Sequence, residues 1–189
     1  MARSVNTQQK WIEIGYTTFS QEGPEGLQVE RLARILDLNK SGFYHYFGDL
    51  DSFIDQLFDY HVLKAQEIAL QFRNAARLDP DLFYILIAFK PSILFHMQLV
   101  RNRHIKKFLD LYKTVNAMVD PEIMRLFSDF IDLRNHHELV ASFYDLSRDM
   151  FYARITEENM NELFLRNLLG EVRELAQNFI KQRPNLKVH

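Results

Sequence analysis

Apolar side chains recur every three or four residues along almost the whole sequence, the spacing that places them on one face of an α-helix. No run of β-branched residues alternates with polar ones, as a half-buried strand would require, and only 6 Gly and 5 Pro are available for turns. The pattern therefore predicts an all-α protein. The predicted helices cover residues 7–21, 28–36, 40–47, 51–76, 82–89, 91–102, 103–119, 120–133, 136–155 and 156–182.

Two of these helices are predicted to begin at residues typical of helix N-termini. Asp120-Pro121-Glu122 has the order of a cap, a first-turn proline and a first-turn acid, and it predicts that a new helix starts there. Thr156-Glu157-Glu158-Asn159 has the same chemistry and predicts the start of the last helix.

The second and third helices are short, and a tight turn over residues 37–39 joins them. Asp37 belongs to a residue type that tolerates a left-handed backbone, and Asn39 can cap the third helix by accepting from its first backbone N–H groups. Phe43 and Phe47 then face inward. Such a helix-turn-helix offers donors and flat rings to a phosphate-lined groove from a firm apolar base. The outward side chains are Lys40, Tyr44, His45 and Tyr46.

A gapless set of aromatic, apolar and glycine positions runs through residues 10–55: Trp11-Ile12, Phe19, Gly23, Val29, Leu32-Ala33, Lys40, Phe43-Tyr44-His45-Tyr46-Phe47 and Asp51-Ser52-Phe53. This set resembles the DNA-binding domain of TetR-family transcriptional regulators, and the aromatic cluster after Lys40-Ser41-Gly42 is its most specific part. The resemblance implies a helix-turn-helix DNA-binding domain in residues 1–50 and a helical ligand-binding and dimerisation domain in residues 51–189. It implies DNA contacts by Gln28, Asn39, Lys40, Ser41, Gly42, Tyr44, His45 and Tyr46.

The same resemblance implies a function. Proteins of this family act as homodimers on a palindromic operator in double-stranded DNA, and the last two helices of each chain form the dimer interface. A ligand in the C-terminal domain changes the spacing of the two DNA-binding domains of the dimer. We therefore expect a cytoplasmic, ligand-responsive transcriptional repressor.

Aromatic residues are frequent in the second part of the chain. A single aromatic side chain at helical spacing is more often part of a core, but so many large rings among helices favour a cavity for a small apolar or aromatic effector. His96, Tyr112 or Tyr144 would serve as its polar contact. The candidate effector-binding residues are Phe83, Tyr84, Phe95, His96, Tyr112, Phe127, Phe130 and Tyr144.

Two positions depart from the pattern of the family. TetR-like domains usually carry a hydroxyl residue where this chain has Leu27 and a lysine where it has Leu50, and both usual residues contact phosphate. Residues 1–60 also hold five Lys and Arg against nine Asp and Glu, a net charge of −4. Because affinity for duplex DNA depends on neutralised phosphates, a second hypothesis stays open. It is a TetR-shaped sensor or interaction module with weak or lost DNA binding that acts through a protein partner.

Other classes of protein find little support in the sequence. The chain contains no cysteine, and its adjacent His136-His137 pair points in two directions on a helix and would chelate a metal poorly. The most apolar window, residues 82–100, has Lys90 and Pro91 at its middle, so we expect no membrane span. No nucleophile–histidine–acid order or phosphate-binding glycine loop is present, and we expect neither an enzyme nor a bound metal or cofactor.

Overall fold

The structure is a computed structural model that describes residues 2–182, with side chains from residue 7 onward. Within this range every regular element is helical, which confirms the prediction of an all-α protein. A 3-10 turn, Pro24–Gly26, follows the first helix, and a π turn, Leu78–Leu82, precedes the fifth. The helices are α1 (Ala2–Glu22), α2 (Val29–Leu36), α3 (Lys40–Phe47), α4 (Leu50–Asn74), α5 (Phe83–Ala88), α6 (Lys90–Arg101), α7 (Lys106–Phe130), α8 (His137–Arg154) and α9 (Glu162–Gln182).

The chain divides into two compact units. Unit 1 comprises Met1–Glu67 and Pro91–Val115, and unit 2 comprises Ile68–Lys90 and Asn116–His189. The predicted division into residues 1–50 and 51–189 concerns the roles of the two parts, and it stays a prediction.

Aromatic rings from α1, α3, α4 and α6 build the core of unit 1. Trp11 is fully buried, and its ring centroid lies 5.4 Å from that of Phe43 in an edge contact. Phe43 in turn lies 5.0 Å from Phe53, while Phe19 stacks on Phe95 at 4.2 Å. The short helix α3 is therefore fixed from below by large buried side chains, which is what its small size requires.

Unit 2 is built around the pair α8 and α9. The rings of Phe143 and Phe179 meet at 5.9 Å, and Arg154 Nη1 lies 2.7 Å from Glu171 Oε2. Arg125 on α7 donates to the carbonyl of Ala75 at 2.8 Å, just after the end of α4. A guanidinium at this position stabilises carbonyl groups that have no partner within the helix.

The predicted helix start at Asp120 is wrong, because α7 runs from Lys106 to Phe130 with Pro121 inside it. The Asp120 carboxylate accepts from the Tyr144 hydroxyl at 2.8 Å and from Arg148 at 2.7 Å, both on α8. These tertiary bonds hold the acid beside its helix and offset the backbone hydrogen bond that Pro121 removes and the crowding of its ring against the preceding turn. The helix therefore continues through a sequence that would otherwise favour a cap.

The last helix begins at Glu162 and not at the predicted residue 156. Thr156 and Asn159 close a separate turn, in which the Thr156 N–H donates to Asn159 Oδ1 at 2.7 Å and the Asn159 N–H donates to Thr156 Oγ1 at 3.2 Å. Asn161 Oδ1 then accepts from the Phe164 N–H at 3.0 Å and caps α9. The cap of the last helix is therefore Asn161 and not Thr156.

Candidate nucleic-acid interface

The turn between α2 and α3 has the predicted geometry. Asp37 adopts φ 52° and ψ 45°, and the next residue, Leu38, donates its N–H to the Ala33 carbonyl at 2.9 Å. Asn39 Oδ1 accepts from the Ser41 N–H at 3.0 Å, which confirms Asn39 as the cap of α3. These bonds fix the direction in which α3 leaves the turn.

The inner side of α3 is an aromatic base. Phe43 and Phe47 are buried, and their ring centroids lie 5.0 Å apart. Phe47 also lies 4.7 Å from Phe53, at the start of α4. Gly48 ends α3 with a positive φ of 75°, and its N–H donates to the Tyr44 carbonyl at 3.0 Å. Buried rings thus hold the inner side of α3 against the core, and Gly48 ends the helix.

The outer side of α3 carries the predicted polar residues. The Tyr44 side chain is 48 % exposed, and nothing lies within 4 Å of where a Cβ on Gly42 would be. Gln28 is the N-cap residue of α2 but makes no side-chain capping bond. Of the eight predicted DNA-binding residues, Gly42 and Tyr46 are half-buried, and the exposed ones are Gln28, Asn39, Lys40, Ser41, Tyr44 and His45.

Two cations of α2 and α3, Arg31 and Lys40, form ion pairs with acidic side chains. Lys40 Nζ lies 3.4 Å from Glu30 Oε1, and Arg31 makes two contacts of 2.5 Å with Glu22. The hydrogen bond from Arg31 lowers the pKa of the Glu22 carboxyl group, so the acid stays ionised beside its partner. A phosphate that approached Lys40 or Arg31 would have to compete with these carboxylates.

Leu27 and Leu50, the two residues that depart from the TetR-like pattern, differ in how deeply they are buried. Leu27 is 2 % exposed and belongs to the core. Leu50 is half-buried and is the first residue of α4, beside Asp49, whose Oδ1 accepts from the Ser52 N–H at 2.7 Å. Neither leucine offers a donor to phosphate.

A cationic stretch that our sequence analysis missed connects α6 to α7. Residues 101–107 contain four Lys and Arg, one His and no acid, and we call this stretch the basic segment. The turn at residues 102–105 separates the two helices, and Arg101, Arg103, His104 and Lys106 are exposed. Its signal in the sequence was a run of like charges within two turns of predicted helix.

A second feature that the sequence did not reveal is a buried polar network within unit 1. The Tyr16 hydroxyl lies 2.8 Å from His61 Nδ1 and 2.9 Å from Ser92 Oγ, and His61 Nε2 lies 3.3 Å from His96 Nδ1. All four residues are buried. Desolvation, together with the neighbouring His96, holds the pKa of His61 well below its ordinary value, so this imidazole is neutral at pH 7.

Three predicted effector-binding residues lie in unit 1. Phe95 is fully buried and stacks on Tyr16 at 4.5 Å, and the His96 and Tyr112 rings lie 5.3 Å apart. A separate open groove of about 340 Å³ lies between α1 and α4. None of the predicted effector residues lines it, and its lining consists of Gln8, Gln9, Ile12, Gln56, Asp59, Tyr60 and Leu63.

The other five predicted effector-binding residues lie in unit 2. Phe127 and Tyr144 are buried, with ring centroids 5.6 Å apart. Burial raises the pKa of the Tyr144 hydroxyl, and the nearby Asp120 carboxylate raises it further. Phe83 is buried beneath the guanidinium of Arg166. Phe130 is half-buried under Arg173, and Tyr84 is 59 % exposed.

Within residues 2–182, no group of three or more His, Asp or Glu side chains is arranged to hold a metal ion. In the same range no single helix is long and apolar enough to cross a membrane; the stretches Leu78–Ala88 and Lys90–Arg101 reach that length and apolar content only when taken together across a bend. No protein-family model and no curated protein matches the chain.

Proposed function

We propose that this chain is a ligand-responsive DNA-binding transcriptional regulator of the TetR type, cytoplasmic and homodimeric, that represses from a palindromic operator. The observation that carries the proposal is the two-sided nature of α3. Phe43 and Phe47 anchor it in the core, while Lys40, Tyr44 and His45 are exposed above them. A reading helix needs this combination of a rigid base and outward donors.

Phosphate and base contacts have separate candidates on this surface. Lys40 and the Tyr44 hydroxyl can bond to phosphate oxygens and fix the register of the helix on the duplex. Ser41 and Gly42 leave the first turn of α3 small, and Gly42 has open space beside it, so base edges can approach closely.

Selection of bound sequences from a random pool of duplexes tests the proposal. We expect a palindromic site, with half-sites spaced by roughly 34–36 Å or a multiple, and we expect Lys40→Ala and Tyr44→Phe to weaken binding in fluorescence anisotropy. Tyr84→Phe is the matched control, because Tyr84 is an exposed tyrosine of unit 2. A dimer that selects no sequence, with or without candidate ligands, would overturn the proposal.

The homodimer would form through α8 and α9. Exposed leucines on these helices support this part of the proposal: Leu146 is 42 % exposed, Leu163 68 % and Leu175 47 %. Leu163→Glu with Leu175→Glu is expected to yield monomers in light scattering, because the charges would be buried in the interface. Leu70→Glu, at an exposed leucine on α4, should leave the mass unchanged.

An apolar or aromatic effector would bind in the helical domain beside the rings predicted for it. His96 and Tyr112, whose rings lie 5.3 Å apart, would supply one pair of polar groups to the effector, and Tyr144 is a second candidate. A library of aromatic compounds can be screened for release of the selected duplex. Phe127→Ala should abolish the response to a compound that binds near Tyr144 and spare one that binds near His96.

The alternative proposal is an interaction module that acts through a protein partner. The carboxylates at Lys40 and Arg31, together with the apolar Leu27 and Leu50, favour it. Weak and unselective binding to all duplexes would support this alternative. Selective retention on DNA that disappears in Lys40→Ala would exclude it.

A further inference from the structure

We propose that the basic segment, residues 101–107, is a second DNA-contact surface that binds the phosphate backbone beside the helix-turn-helix. The inference rests on the proposed DNA-binding function, and it identifies the residues that would attract the DNA phosphates electrostatically. The chemical partner is the phosphodiester backbone of duplex DNA, without preference for sequence.

Two anchors place the basic segment at the end of unit 1 where the chain enters and leaves the helix-turn-helix. On one side, the amide of Gln98 lies 3.4 Å from the carbonyl oxygens of Ser20 and Gln21, near the end of α1. On the other, Lys107 Nζ forms an ion pair with Asp51 and lies 3.5 Å from Asp55 Oδ1, at the start of α4. The segment therefore lies next to the two elements that flank α2 and α3 in the chain.

The start of α7 is also held firmly by packing. The ring of Phe108 is 2 % exposed and lies 5.4 Å from Phe58 and 5.9 Å from Phe19. Asn102 Nδ2 donates to the Gln98 carbonyl at 3.0 Å within the turn. Because the backbone on both sides is already ordered, binding a phosphate there costs little further conformational entropy.

Two of the four Lys and Arg residues of the basic segment lack an ion-pair partner within residues 7–182, as does Arg34 of α2. Among the residues that the structure describes, Arg101 and Arg103 form no ion pair, whereas Arg31 and Lys40 are paired with Glu22 and Glu30. Within the segment, Lys106 pairs with Asp110 at 2.6 Å. An unpaired exposed guanidinium can bind phosphate through two parallel hydrogen bonds without displacing a carboxylate.

The charge balance of unit 1 leads to the same assignment. Residues 1–67 carry six Lys and Arg against ten Asp and Glu, while residues 91–115 carry five against one. The net charges are −4 and +4, so the positive potential of unit 1 comes from the second stretch. A DNA backbone attracted to this unit would meet that stretch, since the helix-turn-helix has no excess of positive charge.

The test compares Arg101→Gln/Arg103→Gln with the unchanged protein on a selected duplex and on a scrambled one, by anisotropy over a range of salt concentrations. The control Arg77→Gln/Lys181→Gln removes the same charge at exposed cations of unit 2 that, within residues 7–182, form no ion pair. We expect the arginine variant to lose affinity for both duplexes by the same factor. The slope of log K against log salt should fall by about 0.9 for each phosphate contact removed, while the control keeps its slope.

The outcomes separate this inference from the proposed function. An unchanged slope in the arginine variant would overturn the inference even if the protein selects an operator. Equal affinity of the unchanged protein for both duplexes would overturn the proposed function, while a lower slope in the variant would still support the phosphate contact. Binding to anionic lipid vesicles that the arginine variant loses, with DNA binding unaltered, would assign the segment to a membrane surface and overturn the inference.

Discussion

The hydroxyl of Tyr16 on α1 lies 2.8 Å from Nδ1 of His61 on α4. The same hydroxyl donates to Ser92 Oγ on α6 at 2.9 Å, so one buried oxygen joins three helices of unit 1. His61 extends the chain of contacts to His96 at 3.3 Å. Polar groups in an apolar core stabilise one arrangement of helices only while all of them are satisfied.

Removing the Tyr16 hydroxyl should destabilise the protein without creating a large cavity. Tyr16→Phe keeps the ring that stacks on Phe95 at 4.5 Å but leaves His61 Nδ1 and Ser92 Oγ without this partner. We expect the free energy of unfolding to fall by about 1–3 kcal/mol. Urea unfolding followed by circular dichroism measures it, and Tyr84→Phe, at an exposed tyrosine, should change nothing.

The buried His61 predicts a loss of stability in mild acid. Burial and the nearby His96 hold the pKa of His61 below its ordinary value of 6.5, so only the unfolded chain takes up this proton as the pH falls below 6.5. Above pH 6.5 the contribution of His61 to the free energy of unfolding is fully present. As the pH falls below 6.5, the free energy of unfolding decreases by about 1.4 kcal/mol per pH unit until the pH reaches the lowered pKa of His61.

Unfolding free energies at about pH 7.5 and about pH 5.5 check this prediction. His61→Gln should be less stable at the higher pH and should lose less stability between the two values than the unchanged protein. Carboxyl groups contribute equally to both proteins, so the difference isolates the imidazole. Parallel pH dependences would contradict the assignment of a lowered pKa to His61.

Two helical glycines are expected to respond oppositely to alanine. A Cβ on Gly15 would overlap Phe53 Cζ, and Phe53 is fully buried between other rings, so Gly15→Ala should cost about 1–3 kcal/mol. Nothing lies within 4 Å of a Cβ on Gly170, so Gly170→Ala should stabilise by up to about 1 kcal/mol. Thermal unfolding of both variants measures the contrast, and a stabilised Gly15→Ala would disprove the close packing.

A lysine at position 50 should strengthen DNA binding. Leu50 is the half-buried first residue of α4, where TetR-like domains usually carry a phosphate-binding lysine. Leu50→Lys is expected to raise affinity for every duplex and to steepen the salt slope by about 0.9 for each new phosphate contact, with no change of selected sequence. Leu70→Lys adds the same charge farther along α4 and should leave the affinity for DNA unchanged. An equal increase in affinity in both variants would show that the added net charge, and not a phosphate contact at position 50, causes the increase.

The sequence was sufficient to predict the helices and the aromatic base of α3, because both depend on local spacing. Burial of Trp11, Phe43 and Phe47 follows from which face of each helix is apolar. The Asn39 cap and the left-handed Asp37 depend on two or three neighbouring residues, and both were predicted. The predicted helix start at Asp120 was wrong, because bonds from α8 decide what that carboxylate does.

The partners of charged and buried polar groups could not be predicted in the same way. Lys40 and Glu30 are ten residues apart on different helices, and Tyr16 and Ser92 are 76 apart. No periodicity links such positions, since they meet only after the helices have packed. The exposure of the outer face of α3 could be predicted from the sequence. The ion pair that Lys40 on this face forms with Glu30 could not.

The chain contains one tryptophan, Trp11, and it packs on the inner side of α3 against Phe43. Its indole is fully buried, and its Nε1 has no hydrogen-bond partner among residues 7–182. Tryptophan fluorescence therefore comes from a single site in unit 1, whereas helix content averages over the whole chain. Coincident denaturation curves from the two signals would establish one cooperative transition, and an earlier fluorescence change would identify unit 1 as a separately melting part.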